Sequence, residues 1–267
     1  EILRCLVGSE MCIRDSPITS IAGASISKDD PMSVVQQRYK QIEITLPPNI
    51  AFELIGHAFS VIPAAKDQWE VMTGDLNSKI SASKIAVMKA AVVKSDSVMQ
   101  HMLPIHPMAA LVLKNIASAF QSNQRSMFDF IKTPKDLDVH AFQWFIQNTR
   151  PDSDRSLLTV DMLWDFFYEK GKDYLTSDIK LILDTYPQQT NLTEKEKVVL
   201  KTILIMQAVD QRLGGTIPVL KATDQNLSYA FEGDWDVYEN ECKSIAKALV
   251  KKGVLIQTPI ADGKQVY

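Results

Sequence analysis

Residues His106–Lys132, HPMAALVLKNIASAFQSNQRSMFDFIK, decide how the chain is organised. Leu111, Leu113, Ile116 and Phe120 recur close to a 3.6-residue period, leaving Lys114 and Ser118 for the wetter side. A polar corner follows, where Ser122 or Asn123 is placed to cap a second helix, a short side-chain oxygen satisfying an orphan backbone N–H. Arg125 then falls in the first turn of that helix, and Met127, Phe128, Phe130 and Ile131 supply its apolar face. An arginine beside the positive end of a helix concentrates charge in a way that suits a phosphate. The same residues also fit a plainer reading, in which Arg125 is a surface residue packing its stem on Phe128 or pairing with Asp129.

Bulk properties set the frame around this pair. The chain has 267 residues, 46% of them hydrophobic, and a net charge of −3, the profile of a globular chain with enough apolar material for a core. Ten glycines in that length favour helices over a turn-rich β fold. The near balance of charge gives no general electrostatic case for nucleic acid or an anionic membrane. Every dense apolar stretch is broken by Lys, Asp or Gln, so no membrane span is expected. Residues 1–16, EILRCLVGSEMCIRDS, resemble translated sequencing-adapter sequence and are set aside as a scar. That leaves Cys242 as the one cysteine of the protein proper, so no intrachain disulfide and a reducing, cytoplasmic setting are expected.

Residues 17–48 read as a loop followed by a short strand, with Ile42, Ile44 and Leu46 alternating against Glu43 and Thr45 before Pro47-Pro48. Residues 49–187 read as a helical domain. Its expected elements are a helix over Ile50–Val61 ended by Pro63, a polar turn around Gly74–Asn77, and a helix from Ser78 to Val93. The central pair comes next, then an aromatic segment at Asp138–Gln147, a polar break at 150–156, and helices over Leu157–Tyr168 and Asp173–Asp184. Pro187–Asn191 is the expected domain boundary. Thr193 and Glu196 follow it as a capping box, each satisfying an orphan N–H of a helix running through Lys197–Val209. Helical regions at Ile217–Phe231 and Val237–Lys252 come after it. The end reads as a hairpin, with strand Val254–Thr258, turn Ala261–Gly263 and its partner Lys264–Tyr267. The fold class is therefore mainly α: a helical bundle, then three helices and a small β-hairpin over 190–267 in winged-helix order.

Chemistry is sparse. GxxxxGK[ST], GxSxG, HExxH and CxxC are all absent. His101 and His106 are separated by Pro104, which keeps both rings off one helical face, so no metal site is expected. Residues 190–267 hold ten Lys/Arg and ten Asp/Glu, and Asp234, Asp236, Glu239 and Glu241 crowd the start of the helix that would meet base edges. Lys243, Lys247, Lys251 and Lys252 form a basic half further along it. A protein-facing winged helix fits this pattern better than a DNA reader.

Two segments taken together resemble the AAA+ ATPase family. Arg38-Tyr39-Lys40-Gln41-Ile42-Glu43-Ile44-Thr45-Leu46-Pro47 resembles the close of the nucleotide-binding core, and Asn123-Gln124-Arg125-Ser126-Met127-Phe128 resembles the lid segment that carries a sensor arginine. More narrowly, HPMAALVL…FQSNQRSMFDFI is similar to a segment of bacterial P-loop ATPases of the origin-recognition-like and STAND type, several of them linked to phage defence. The resemblance implies a lid over 49–187 and a winged helix over 190–267, with ATP and Mg2+ bound by a core upstream, since Walker A and Walker B are missing here. It implies that Arg125 contacts the nucleotide's terminal phosphates and that Arg38 is an arginine finger. A protein partner or self-association is the expected interaction. Two other readings fit the same order of elements: a non-enzymatic helical scaffold resembling PCI modules, and a DNA-binding winged-helix regulator.

Overall fold

The computed structural model describes residues 50–58, 60–120, 126–134, 138–150, 152–234, 238–260 and 263–267, without the side chains of 117–120 and 238. The strand expected within 17–48 lies outside these residues, as do Arg38 and Arg125. The described part is mainly helical, with one small antiparallel sheet.

Its centre is α5, Pro107–Phe120, numbered after α1 (Ile50–His57), α2 (Lys66–Lys79), α3 (Ser81–Ala91) and α4 (Asp96–His101). Met108, Ala109, Ala110, Leu111, Val112, Leu113 and Ile116 are all buried, so apolar residues face neighbours on every side of this helix. Around α5 pack α1, α3, α6 (Met127–Lys132), α9 (Glu194–Arg212), α10 (Asp224–Ala230) and a 3-10 turn at Val160–Leu163. Lys114 lies with its ammonium 5.2 Å from the centre of the Phe52 ring, and burial holds its pKa below the ordinary lysine value.

Several expected boundaries move. The first helix ends at His57, short of Val61. No turn forms at Gly74: α2 runs straight through it, burying Thr73 and Leu76 on one face. One helical glycine costs only about 1 kcal/mol, and Asn77 from the expected turn instead accepts a 3.0 Å hydrogen bond from Lys84 Nζ. The helix expected over Ser78–Val93 is α3 alone, ended by Val92 at φ 55°. The second helix of the central pair is capped by Ser126, not by Ser122 or Asn123. Ser126 Oγ accepts from Asp129 N (3.1 Å) while Asp129 Oδ2 accepts from Ser126 N (2.9 Å).

Leu157–Tyr168 is not a regular α-helix. A 3-10 turn at Val160–Leu163 passes into a π turn at Asp165–Glu169. Phe166, Phe167 and Tyr168 are consecutive and all buried, which a one-sided α-helix does not allow. The wider turn lets Phe166 and Phe167 both reach Phe130, at 5.5 and 5.9 Å between ring centres, and Tyr168 reach Trp164 at 4.5 Å. Gly171 closes this segment, where an added Cβ would stand 2.4 Å from the Phe167 carbonyl oxygen.

The C-terminal part keeps the expected order. The Thr193–Glu196 capping box opens α9, with Thr193 N to Glu196 Oε2 at 2.9 Å and Glu196 N to Thr193 Oγ1 at 3.3 Å. Then come α10, α11 (Tyr238–Lys251), β1 (Thr258–Pro259) and β2 (Gln265–Val266), with Thr258 opposite Val266 and Pro259 opposite Gln265. The strands are shorter than expected. On its other side Val266 makes an antiparallel bridge to Thr223, so three extended segments meet beside the three helices. One apolar cluster runs from Phe52 to Tyr267, crossing the polar segment Pro187–Asn191, because α9 packs on α5, on α8 (Ser177–Leu183) and on Val160–Leu163 as well as on α11.

Candidate functional site

Charged groups and aromatic rings converge on a cleft of about 550 Å³ between α7 (Phe142–Asn148), the residues that follow it, the Val160–Glu169 segment and Lys201 of α9. The backbone N–H of His140, just before α7, donates to Asp165 Oδ2 at 2.6 Å and so clips α7 to the π turn. The His140 ring stacks on Trp144 with centres 3.8 Å apart. Trp164 is fixed by its Nε1–H donating to Glu169 Oε1 at 2.8 Å. Lys201 carries its ammonium 5.8 Å from the Trp164 ring centre and 4.8 Å from that of Tyr186.

Arg155 stands at the inner side of the cleft as a fork. Its Nε–H donates to Asp234 Oδ2 at 2.9 Å, one terminal nitrogen to Asp161 Oδ2 at 3.2 Å, and the other to Asp161 Oδ1 at 2.9 Å and Thr159 Oγ1 at 2.7 Å. Thr159 Oγ1–H donates in turn to Asp161 Oδ1 at 2.6 Å. Burial would lower the Arg155 pKa, but Asp161 and Asp234 outweigh it and hold it above the ordinary value. The guanidinium is thus committed to structure by a planar, bidentate match.

A second polar connection lies behind it. His106 is fully buried at the start of α5; its Nδ1 accepts from Met108 N (3.1 Å), so its Nε2–H is the donor to the Glu232 carbonyl (3.1 Å). Burial lowers its pKa to about 4, with the Glu232 bond opposing only in part, so the ring is neutral at pH 7. The Glu232 carboxylate accepts from Ala82 N at 3.0 Å and from Ser83 N, taking two orphan amides at the start of α3.

The residues proposed from sequence as phosphate contacts, Arg125 and Arg38, lie outside the described residues. The Ser126 cap does correct one expectation: Arg125 precedes the cap and is not in the first turn of α6. Of the basic residues towards the end of α11, Lys247 pairs with Asp224 (3.4 Å) and Lys252, just past the helix, with Glu196 (2.6 Å). Cys242 is buried, and desolvation raises its thiol pKa. His57 and His101 line a second cleft of about 490 Å³ with Glu53 and Glu70. Among the described residues no three His, Cys, Asp or Glu side chains converge to hold a metal ion, and no helix is long and apolar enough to cross a membrane. The 150–156 stretch, a polar break in the sequence, supplies Arg155. Its local signal is Thr159 and Asp161 at i+4 and i+6, whereas Asp234 is 79 residues away. No protein-family model, curated protein or solved structure matches the chain.

Proposed function

We propose that this chain supplies the helical lid and a winged helix to an ATPase of the AAA+/STAND kind, and that the winged helix meets a protein surface and not DNA. The order α9, Thr223, α10, α11, β1, β2, with Val266 bridging to Thr223, supports the winged-helix reading. The packing of α5 directly against α9 supports a mechanical role, since a lid helix that shifts with nucleotide state carries α9 with it. In this reading Arg125 enters α6 from just before its cap and balances charge on the phosphates of ATP–Mg2+, and Arg38 acts on a neighbouring subunit.

The observation that carries the protein-facing reading is the pairing of lysines on and beside α11. Lys247 and Lys252 are bonded to Asp224 and Glu196, and Lys195 to Glu241 at 3.2 Å, so neighbouring carboxylates already neutralise much of the charge a DNA backbone would need. Two experiments test the proposal. The full chain should bind random duplex DNA at physiological salt more weakly than about 10⁻⁴ M, and micromolar, salt-steep binding lost in Lys243→Ala/Lys251→Ala would overturn the protein-facing reading. In a protein joining this chain to its nucleotide-binding core, Arg125→Ala should lower ATP turnover by on the order of 10²–10³-fold, and unchanged turnover would overturn the lid assignment.

A further inference from the structure

Every cation and anion of the α7 cleft but two has a partner that fixes it. Arg155 is taken by Asp161, Asp234 and Thr159, and Asp165 by the His140 N–H. Asp154 is open to solvent. Lys201 remains. Among the described residues no carboxylate lies within ion-pair distance of it; Glu194 feels its charge but is itself bonded to Lys197 at 2.7 Å. Ring faces alone hold the Lys201 ammonium, so its hydrogen-bond donors stay available towards the cleft it lines. The exposed His140 ring, stacked on half-buried Trp144, gives the same cleft a flat π surface. At about 550 Å³ the space lies within the range of small-molecule sites, roughly 300–1,000 Å³. One wall is built on a π turn, a departure from α geometry frequent at functional sites.

We propose that this cleft binds a planar aromatic anion, an aryl carboxylate or aryl phosphate, with the ring against the His140–Trp144 stack and the anion at Lys201. Asp161 is neutralised by Arg155, but exposed Asp154 and half-buried Asp165, whose charge the neutral His140 N–H does not cancel, also line the cleft, so an aromatic cation is the competitor the test includes. The site is separate from the Arg125 reading and stands whether or not the parent protein hydrolyses ATP.

The test is calorimetric titration of the full chain with 2-naphthoate, 2-naphthyl phosphate and 2-naphthylmethylammonium. At least one anion should bind saturably below about 1 mM, and the tighter of the two distinguishes carboxylate from phosphate. Lys201→Gln and Trp144→Ala should each weaken it by about 10–100-fold, and Lys201→Arg should restore most of the affinity. Because Lys201 also packs on Trp164 and Tyr186, a measurement on the unaltered chain accompanies the variants: the bound anion should slow acylation of Lys201 by an N-hydroxysuccinimide ester, read by mass spectrometry. Absence of saturation by either anion, equal or tighter binding of the cation, unchanged affinity in a folded Lys201→Gln chain, or unprotected Lys201 would each overturn the proposal.

Discussion

Compare the turn at residues 231–234 with the outer faces of α9 and α11. In the turn, charge makes long-range bonds: buried Asp234, 2% exposed, bonds Arg155, and half-buried Glu232 joins the start of α3 and the ring of His106. Gly233 packs between them at φ 79°, where an added Cβ would stand 3.0 Å from Ile80 and 3.2 Å from Leu157. On the outer faces of α9 and α11 the pairs Lys195–Glu241 and Lys247–Asp224 are exposed on both sides. The same kinds of side chain do different work in the two places. A buried charge that loses its partner keeps its desolvation cost, whereas an exposed one returns to water. The turn therefore fastens the C-terminal helices to the α1–α8 array, and the outer pairs set only what the surface presents.

The sharpest way to break this contrast is Arg155→Ala. It strands Asp161 and Asp234, and should cost about 3–5 kcal/mol in denaturant unfolding; a loss under about 1 kcal/mol would put the turn in the same class as the outer pairs.

Acid is the next probe. His106 is neutral when folded down to about pH 4, whereas the unfolded chain takes up a proton at the ordinary histidine value of 6.5. The unfolded state thus binds more protons between these values. Stability conferred by the neutral ring is full above pH 6.5 and falls as pH drops towards 4, by about 3 kcal/mol in total. Unfolding at pH 7 and pH 4.5 should show a steeper loss in the parent chain than in His106→Asn, which keeps a capping side chain but cannot titrate. Equal slopes would remove His106 from the connection.

A smaller effect of opposite sign is expected away from both regions. Val92 ends α3 at φ 55° and is exposed, so its side chain contributes strain and little packing. Val92→Gly should raise the thermal midpoint, with a gain of about 0.5–1 kcal/mol left after the entropy of the added glycine. Lys247→Ala should change least, by under about 1 kcal/mol, and what effect it has should shrink in high salt.

Legibility in the sequence follows the same division between local and long-range. The central helix, the Thr193–Glu196 box and the order of the last three helices and hairpin were readable because their causes lie within a few residues. The Ser126–Asp129 box has the same local signature, yet the polar residues just before it competed for the cap. Gly74 looked like a turn because the apolar face beneath it, Thr73 and Leu76, is incomplete until Ile80 and Leu103 close over Leu76. The π turn was hidden because burial of Phe166 and Phe167 together depends on Phe130 arriving from α6. Of the candidate site, Trp144 appeared only as aromatic content, and no spacing pointed from Lys201 on α9 to the cleft. The sequence pointed instead to Arg38 and Arg125, by a resemblance in short motifs, and both lie outside the described residues.

The central claim is that the packing of α9 on α5, with the 231–234 turn fastened beside it, makes the α1–α8 array and the α9–α11 helices one cooperative unit, despite the polar segment at 187–191 between them. Scanning calorimetry of the full chain and of Arg155→Ala tests it most directly. One transition is expected, with equal calorimetric and van't Hoff enthalpies, and it should move down as a whole in Arg155→Ala. Two transitions in the parent chain, with only one of them lowered by the substitution, would contradict it.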